Sequence, residues 1–188
     1  INGKPAVVVA VEGAFQGGSM GEVSGAKMAA ALELAAEDNR NGIPTQAVLC
    51  LETGGVRLQE ANLGLAAIAD IHAAIVDLRQ YTPVIGIIAG TVGCFGGMSI
   101  AAGLCSYLIV TREARVGLNG PQVIEQEAGI EEYDSRDRPF IWSMTGGEVP
   151  ALPPVSEAEP CPTRHVVERW VGHFAVHAPG LAETADSG

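Results

Sequence analysis

The chain has 188 residues, 47% of them hydrophobic, and a formal net charge of -11 at pH 7. This is enough for one core of ordinary size, and so acidic a surface repels both nucleic acid and anionic membranes, so neither is expected as a partner. The cysteines Cys50, Cys94, Cys105 and Cys161 form no C-x-x-C pair, which argues against a zinc ribbon or a disulfide framework and suggests reduced thiols in a cytoplasmic protein.

Ile1-Asn2-Gly3-Lys4 reads as a turn into a strand over residues 6–11 rather than as a signal peptide, and no apolar run is expected to span a bilayer. With no initiator methionine, the chain is expected to be a fragment or processed form whose partner strand lies upstream. A glycine corner at Gly17-Gly18 follows, then a helix over 21–39 with a stop signal at Asn39-Arg40-Asn41-Gly42 and Pro44. A strand over 46–51 runs into Gly54-Gly55 and a helix over 58–79, whose apolar stripe is read as Ala61, Leu65, Ile68, Ile71 or His72, Ile75 and Leu78. A strand over 84–89 leads to Gly93, Gly96 and Gly97, a helix over 97–104, and a strand over 107–111. Strands about forty residues apart, separated by helices, predict successive βα layers and an α/β fold. From Pro150 onward, Pro153, Pro154, Pro160 and Pro162 mark residues 149–188 as a linker and tail with a possible helix over 163–177, leaving 1–148 as the domain.

The chemistry lies in the glycine corners. Where a strand turns through glycines into a helix, main-chain N–H groups are left bare, and the helix dipole adds to their attraction for a developing negative charge. Two such corners aimed at one carbonyl oxygen would make an oxyanion hole and favour an enolate formed from a thioester. Dinucleotide, phosphate-loop and nucleophile-elbow signatures are absent. Cys94 has no histidine near it in sequence and reads as a packed thiol, and His72 as a partly buried helix residue. Glu22 and Glu60 read as first-turn dipole partners. His173 and His177 have metal-ligand spacing but no third ligand, so no metal is expected. Arg112, Arg115, Arg136 and Arg138 could meet phosphate groups or an acidic partner, but their acidic neighbours Glu131, Glu132, Asp134 and Asp137 suggest local ion pairs instead, outside any site.

The segments GGSMGEVSGAK, ETGGVRLQEANLGLAAIADI, the run over 90–122 and EQEAGIEEYDSRDRPFIWSMTGGE resemble the carboxyltransferase branch of the crotonase superfamily. Within that branch the likeness is to the family of malonate decarboxylase beta subunits. The resemblance implies a crotonase-like (ClpP/crotonase) layered ββα superhelix, incomplete at its N-terminus. It implies decarboxylation of a malonyl thioester to the acetyl thioester and CO2, carried out together with a gamma subunit. The substrate would ride on the phosphopantetheine or CoA-type arm of an acyl carrier protein, with no cofactor bound by this chain. One oxyanion donor would come from Gly17 or Gly18 and the other from Gly96 or Gly97, with Phe95 as neighbour. Gly54 and Gly55 would bind the departing carboxylate or shape the pocket, and Met98, Met20 and Phe95 would wall it. Arg57 would hold a carboxylate or phosphate unless it pairs with Glu60. Two alternatives stay open: a carboxyltransferase subunit passing the carboxyl group to biotin, and a catalytically silent fragment that only binds its partner.

Overall fold

The computed structural model describes residue 1 and residues 3–147. The expected linker, the helix over 163–177, Cys161, His173 and His177 lie outside the described residues. In chain order the elements are β1 (Ala6–Ala10), β2 (Ser19–Met20), α1 (Glu22–Arg40), β3 (Gln46–Cys50), β4 (Gly55–Val56), α2 (Ala61–Leu78), β5 (Val84–Ile88), α3 (Gly97–Leu104), β6 (Tyr107–Val110), α4 (Pro121–Ala128) and α5 (Arg138–Thr145).

The long strands are β-branched runs and pair in parallel in the order β1-β3-β5-β6, with Val8 opposite Val48 and Val48 opposite Ile85. Each βα crossover returns the chain to the same end of the sheet, so the loops that follow the strands gather along one edge. There a second layer begins. β2 pairs with β4 in parallel, and single bridges from Thr53 to Cys94 and from Cys94 to Val116 carry that layer through the next two repeats. Long strand, short strand and helix repeat in turn, which is the layered ββα superhelix that the crotonase likeness implies.

Helices α1 and α2 cover the sheet. Met28, Leu32, Ala35 and Ala36 of α1 are buried with Ile68, Ile71, Ile75 and Leu78 of α2 against Leu49 and Ile88 of the central strands. Each large side chain removed from water in this way contributes about 1.5–3 kcal/mol. The α1–α2 contact is close because Gly25 faces Ala67: a methyl on Gly25 would sit 2.5 Å from the Ala67 Cβ.

Two expectations need correction here. The buried face of α2 is Gly64, Ala67, Ile68, Ile71, Ala74, Ile75 and Leu78, while Leu65 is 54% exposed and Ala61 lies on the surface. At about 100° per residue Leu65 is rotated away from the stripe centred on Ile71, and Ala61 stands at the helix start. The second concerns membranes. The segment Leu58–Leu78 is 21 residues long with mean hydropathy 1.4, long and apolar enough to cross a bilayer by length and composition. In the fold its apolar stripe is instead packed on α1 and the sheet.

The close α1–α2 approach makes a stability prediction. Gly25→Val should lower the unfolding free energy by about 1–3 kcal/mol through overpacking. Gly103→Ala, inside α3 with open space around its Cβ position, should raise it by about 0.5–1 kcal/mol. Urea melts of both variants check the pair, and equal shifts would contradict the packing described.

Candidate functional site

The loops after β1, β3 and β5 each turn through glycines, and the turns stack main chain on main chain. The Gly54 N–H donates to the Gly17 carbonyl at 2.9 Å, joining the first corner to the second. A side chain on Gly18 would overlap the Glu52 carbonyl. A Cβ on Gly55 would lie 3.0 Å from the Phe95 carbonyl oxygen and 3.3 Å from the Gly96 Cα, so the second corner rests directly on the third. Gly96 caps α3 with φ of 61°, a left-handed turn that favours glycine.

Stacking in this order decides which amides are available. The Gly18 N–H donates to Phe15 O at 2.9 Å and the Gly96 N–H to Leu118 O at 2.8 Å. Both were expected as oxyanion donors. Each instead closes a hydrogen bond of the fold, Gly18 within its own turn and Gly96 to the segment that follows β6. The Gly55 N–H is engaged as well, by Thr53 Oγ1 at 3.1 Å. The strand order β1-β3-β5 places Gly54-Gly55 between the first corner and the third.

Two other amides border Gly96. Gly97 is the first residue of α3, where an N–H has no intrahelical acceptor, and it has no other partner among the described residues. In β4 the Arg57 N–H donates to Met20 O at 2.8 Å, so by strand alternation the Val56 N–H faces the opposite edge. That edge is the one against the third corner: a Cβ on Gly96 would lie 3.9 Å from the Val56 nitrogen. Val56, Gly96 and Gly97 are all half-buried, so the place is sheltered yet reachable. Sequence reasoning missed Val56 because a main-chain donor leaves no side-chain signature; finding it required the two-residue strand β4.

Side chains hold this arrangement. The His72 Nε2 lies 2.8 Å from the Gly97 carbonyl, which can only accept, so that nitrogen carries the proton. A Cβ on Gly97 would lie 2.8 Å from Ile68 Cγ2, so α3 begins directly on α2. Phe95 is buried, and Met98 belongs wholly to the core, which leaves it no surface as a pocket wall. Met20 is buried too, but it borders a groove of about 360 Å³ with Phe15, Gly18, Lys27 and Arg57.

Arg57 pairs with Glu60 at 2.8 Å and also donates to Ser19 Oγ and Ser19 O, so its guanidinium ties β2 to the start of α2. Glu60 does not serve its own helix first. Its other oxygen accepts the Glu22 N–H at 2.6 Å and so caps α1; that bond, and then Arg57, hold the Glu60 carboxyl below its usual value. Burial pushes the Cys94 thiol up to about 12, which makes it inert as a nucleophile near neutral pH.

A family profile described as the carboxyl transferase domain matches residues 1–139. Over 158 residues the chain is 43% identical to the malonyl-S-ACP:biotin-protein carboxyltransferase MADC of Malonomonas rubra, covering 79% of this chain and 50% of that protein. It therefore spans about half the length of this curated relative. A Pseudomonas malonate decarboxylase hetero-tetramer, solved in complex with malonate, superposes with a TM-score of 0.78 at 63% identity, covering 100% of this chain and 74% of the other. The transcarboxylase 12S structure with methylmalonyl-coenzyme A and methylmalonic acid bound gives 0.63 at 30% identity, over 76% of this chain and 26% of the other. The chain belongs to the carboxyl transferase domain family.

Proposed function

We propose that this chain is the beta subunit of a malonate decarboxylase, acting on a malonyl thioester in a cytoplasmic complex with a gamma subunit. The carbon–carbon bond to the carboxylate breaks, its electron pair moves onto the thioester as an enolate, and CO2 leaves. Protonation at carbon then gives the acetyl thioester. The observation that carries this reading is the pair of amides at Val56 and Gly97, both beside Gly96 and both without a partner among the described residues. They favour the enolate oxygen over the less charged ground-state carbonyl, and one such donor lowers a barrier by roughly 3 kcal/mol. Gly17-Gly18 and Gly54-Gly55 act as the stacked supports that bring β4 against α3. The identity to the Pseudomonas decarboxylase supports the substrate assignment, as does the presence of malonate in that structure.

The thioester rides on the phosphopantetheine-type arm of an acyl carrier protein, and this chain itself binds no cofactor. A second reading, transfer of the carboxyl group to a biotin carrier, is favoured by the name of the Malonomonas relative and uses the same enolate. CO2 release from malonyl-loaded carrier and gamma subunit without biotin supports decarboxylation, whereas a requirement for biotin carrier supports transfer.

Gly97→Pro removes the amide at a helix position that tolerates proline, so kcat should fall about 100- to 1000-fold with KM little changed. Gly97→Ala adds bulk toward Ile68 but keeps the amide and should lose far less; equal losses in the two variants would contradict the donor role. His72→Phe should lower kcat about 10-fold by freeing the Gly97 carbonyl, with recovery in His72→Gln, which restores a donor. Steady-state kinetics on the reconstituted complex read both.

A further inference from the structure

The expected ion pairs of the late arginines form only in part. Arg136 pairs with Asp134 at 3.1 Å, but Arg115 and Arg138 have no carboxylate partner among the described residues. Arg115 is half-buried, and its Nη2 donates to the carbonyls of Thr91 and Val92 at 2.9 and 3.3 Å. Its Nε is buried with no hydrogen-bond partner among the described residues, and so is the hydroxyl of Tyr133, a residue only 4% exposed that packs edge-on against Phe140 of α5.

The two guanidinium groups gather about one indole. The Cζ atoms of Arg115 and Arg138 lie 4.5 and 5.3 Å from the Trp142 ring centroid, and that of Arg115 lies 5.6 Å from the Phe95 ring. Ring faces offset part of the cost of a sheltered cation, by about 0.5–2 kcal/mol, but do not neutralise it. Burial, and then the Arg138 charge, push the Arg115 guanidinium below its ordinary value, while Tyr133 acts in the opposite sense. An added anion would relieve that repulsion and meet donors that have no partner among the described residues. The cluster also adjoins the third glycine corner, because the Arg115 carbonyl accepts the Cys94 N–H at 2.8 Å.

We propose that Arg115 and Arg138, grouped around Trp142 with Tyr133 as neighbour, form an oxyanion-binding site beside the glycine corners that takes a carboxylate or phosphate group. The identity of its bearer rests on the decarboxylase reading: the carboxylate would belong to the acyl group, the phosphate to the arm of its carrier. Binding itself does not depend on that reading.

Trp142 supplies the probe. In the full chain carrying Trp170→Phe, Trp142 is the one tryptophan left, and its fluorescence can be followed while malonate or inorganic phosphate is added at constant ionic strength. A saturable change is expected; with malonate it assigns the acyl carboxylate, and with phosphate the carrier arm. Arg138→Gln, on an exposed residue, should weaken binding about 10-fold, and Arg115→Met should abolish it with an unchanged circular dichroism spectrum. If Arg115→Met fails to fold, Arg138→Gln decides. A response that never saturates, that chloride reproduces equally, or that keeps its affinity in Arg138→Gln overturns the proposal. Lost turnover of malonyl thioester with anion binding retained would count against the decarboxylase reading and leave this site standing.

Discussion

Main chain lying directly on main chain, at the glycine corners, is the constraint from which the rest of this structure follows. Gly55 reaches within a methyl's width of the Phe95 carbonyl and the Gly96 Cα, and Gly18 meets the Glu52 carbonyl in the same way. A side chain would overlap backbone at Gly18 and be crowded by it at Gly55, where φ is 101°. Because the corners touch, the short strands β2 and β4 can pair, and the free edge of β4 arrives beside the first turn of α3. A rigid cross-link between the two βα layers is thus made of peptide groups alone, whose positions are set by the sheet register.

This arrangement sorts donors into two kinds. The Gly18 amide is consumed by its own turn and the Gly96 amide by the segment after β6. Gly97 and Val56 have a geometric reason to lack a partner among the described residues: a helix start for Gly97, and an outward-facing position on a two-residue strand for Val56. Both border Gly96, and their surroundings are fixed by groups outside the corners, His72 on the Gly97 carbonyl and Ile68 under its Cα. Such fixed dipoles need no reorganisation as charge develops, which is why they act more strongly on a transition state than on a substrate.

The primary layer was legible because β-branched runs and helix stop signals carry it. The strand over 6–11 appears as Ala6–Ala10 and the helix over 21–39 as Glu22–Arg40. The second layer was not, since Ser19–Met20 and Gly55–Val56 are too short for any period to show. Helices α4 and α5 were also missed. They are single eight-residue stretches, too short for a helical period to stand out, and each begins at or beside a proline that reads more readily as a break. At the site, glycine pairs marked the corners that stack on one another but could not say which amides the fold would engage. Nor could sequence separate Arg136, which has Asp134 two residues away, from Arg115 and Arg138, whose surroundings are set by the packing of α5 on the third corner.

A crystal structure of the assembled complex with a thioester whose acyl group mimics the enolate would test the account most directly. The thioester oxygen is predicted to sit about 2.7–3.1 Å from both the Val56 and the Gly97 nitrogen atoms. An oxygen bound elsewhere, with either amide turned to a protein carbonyl, would contradict it.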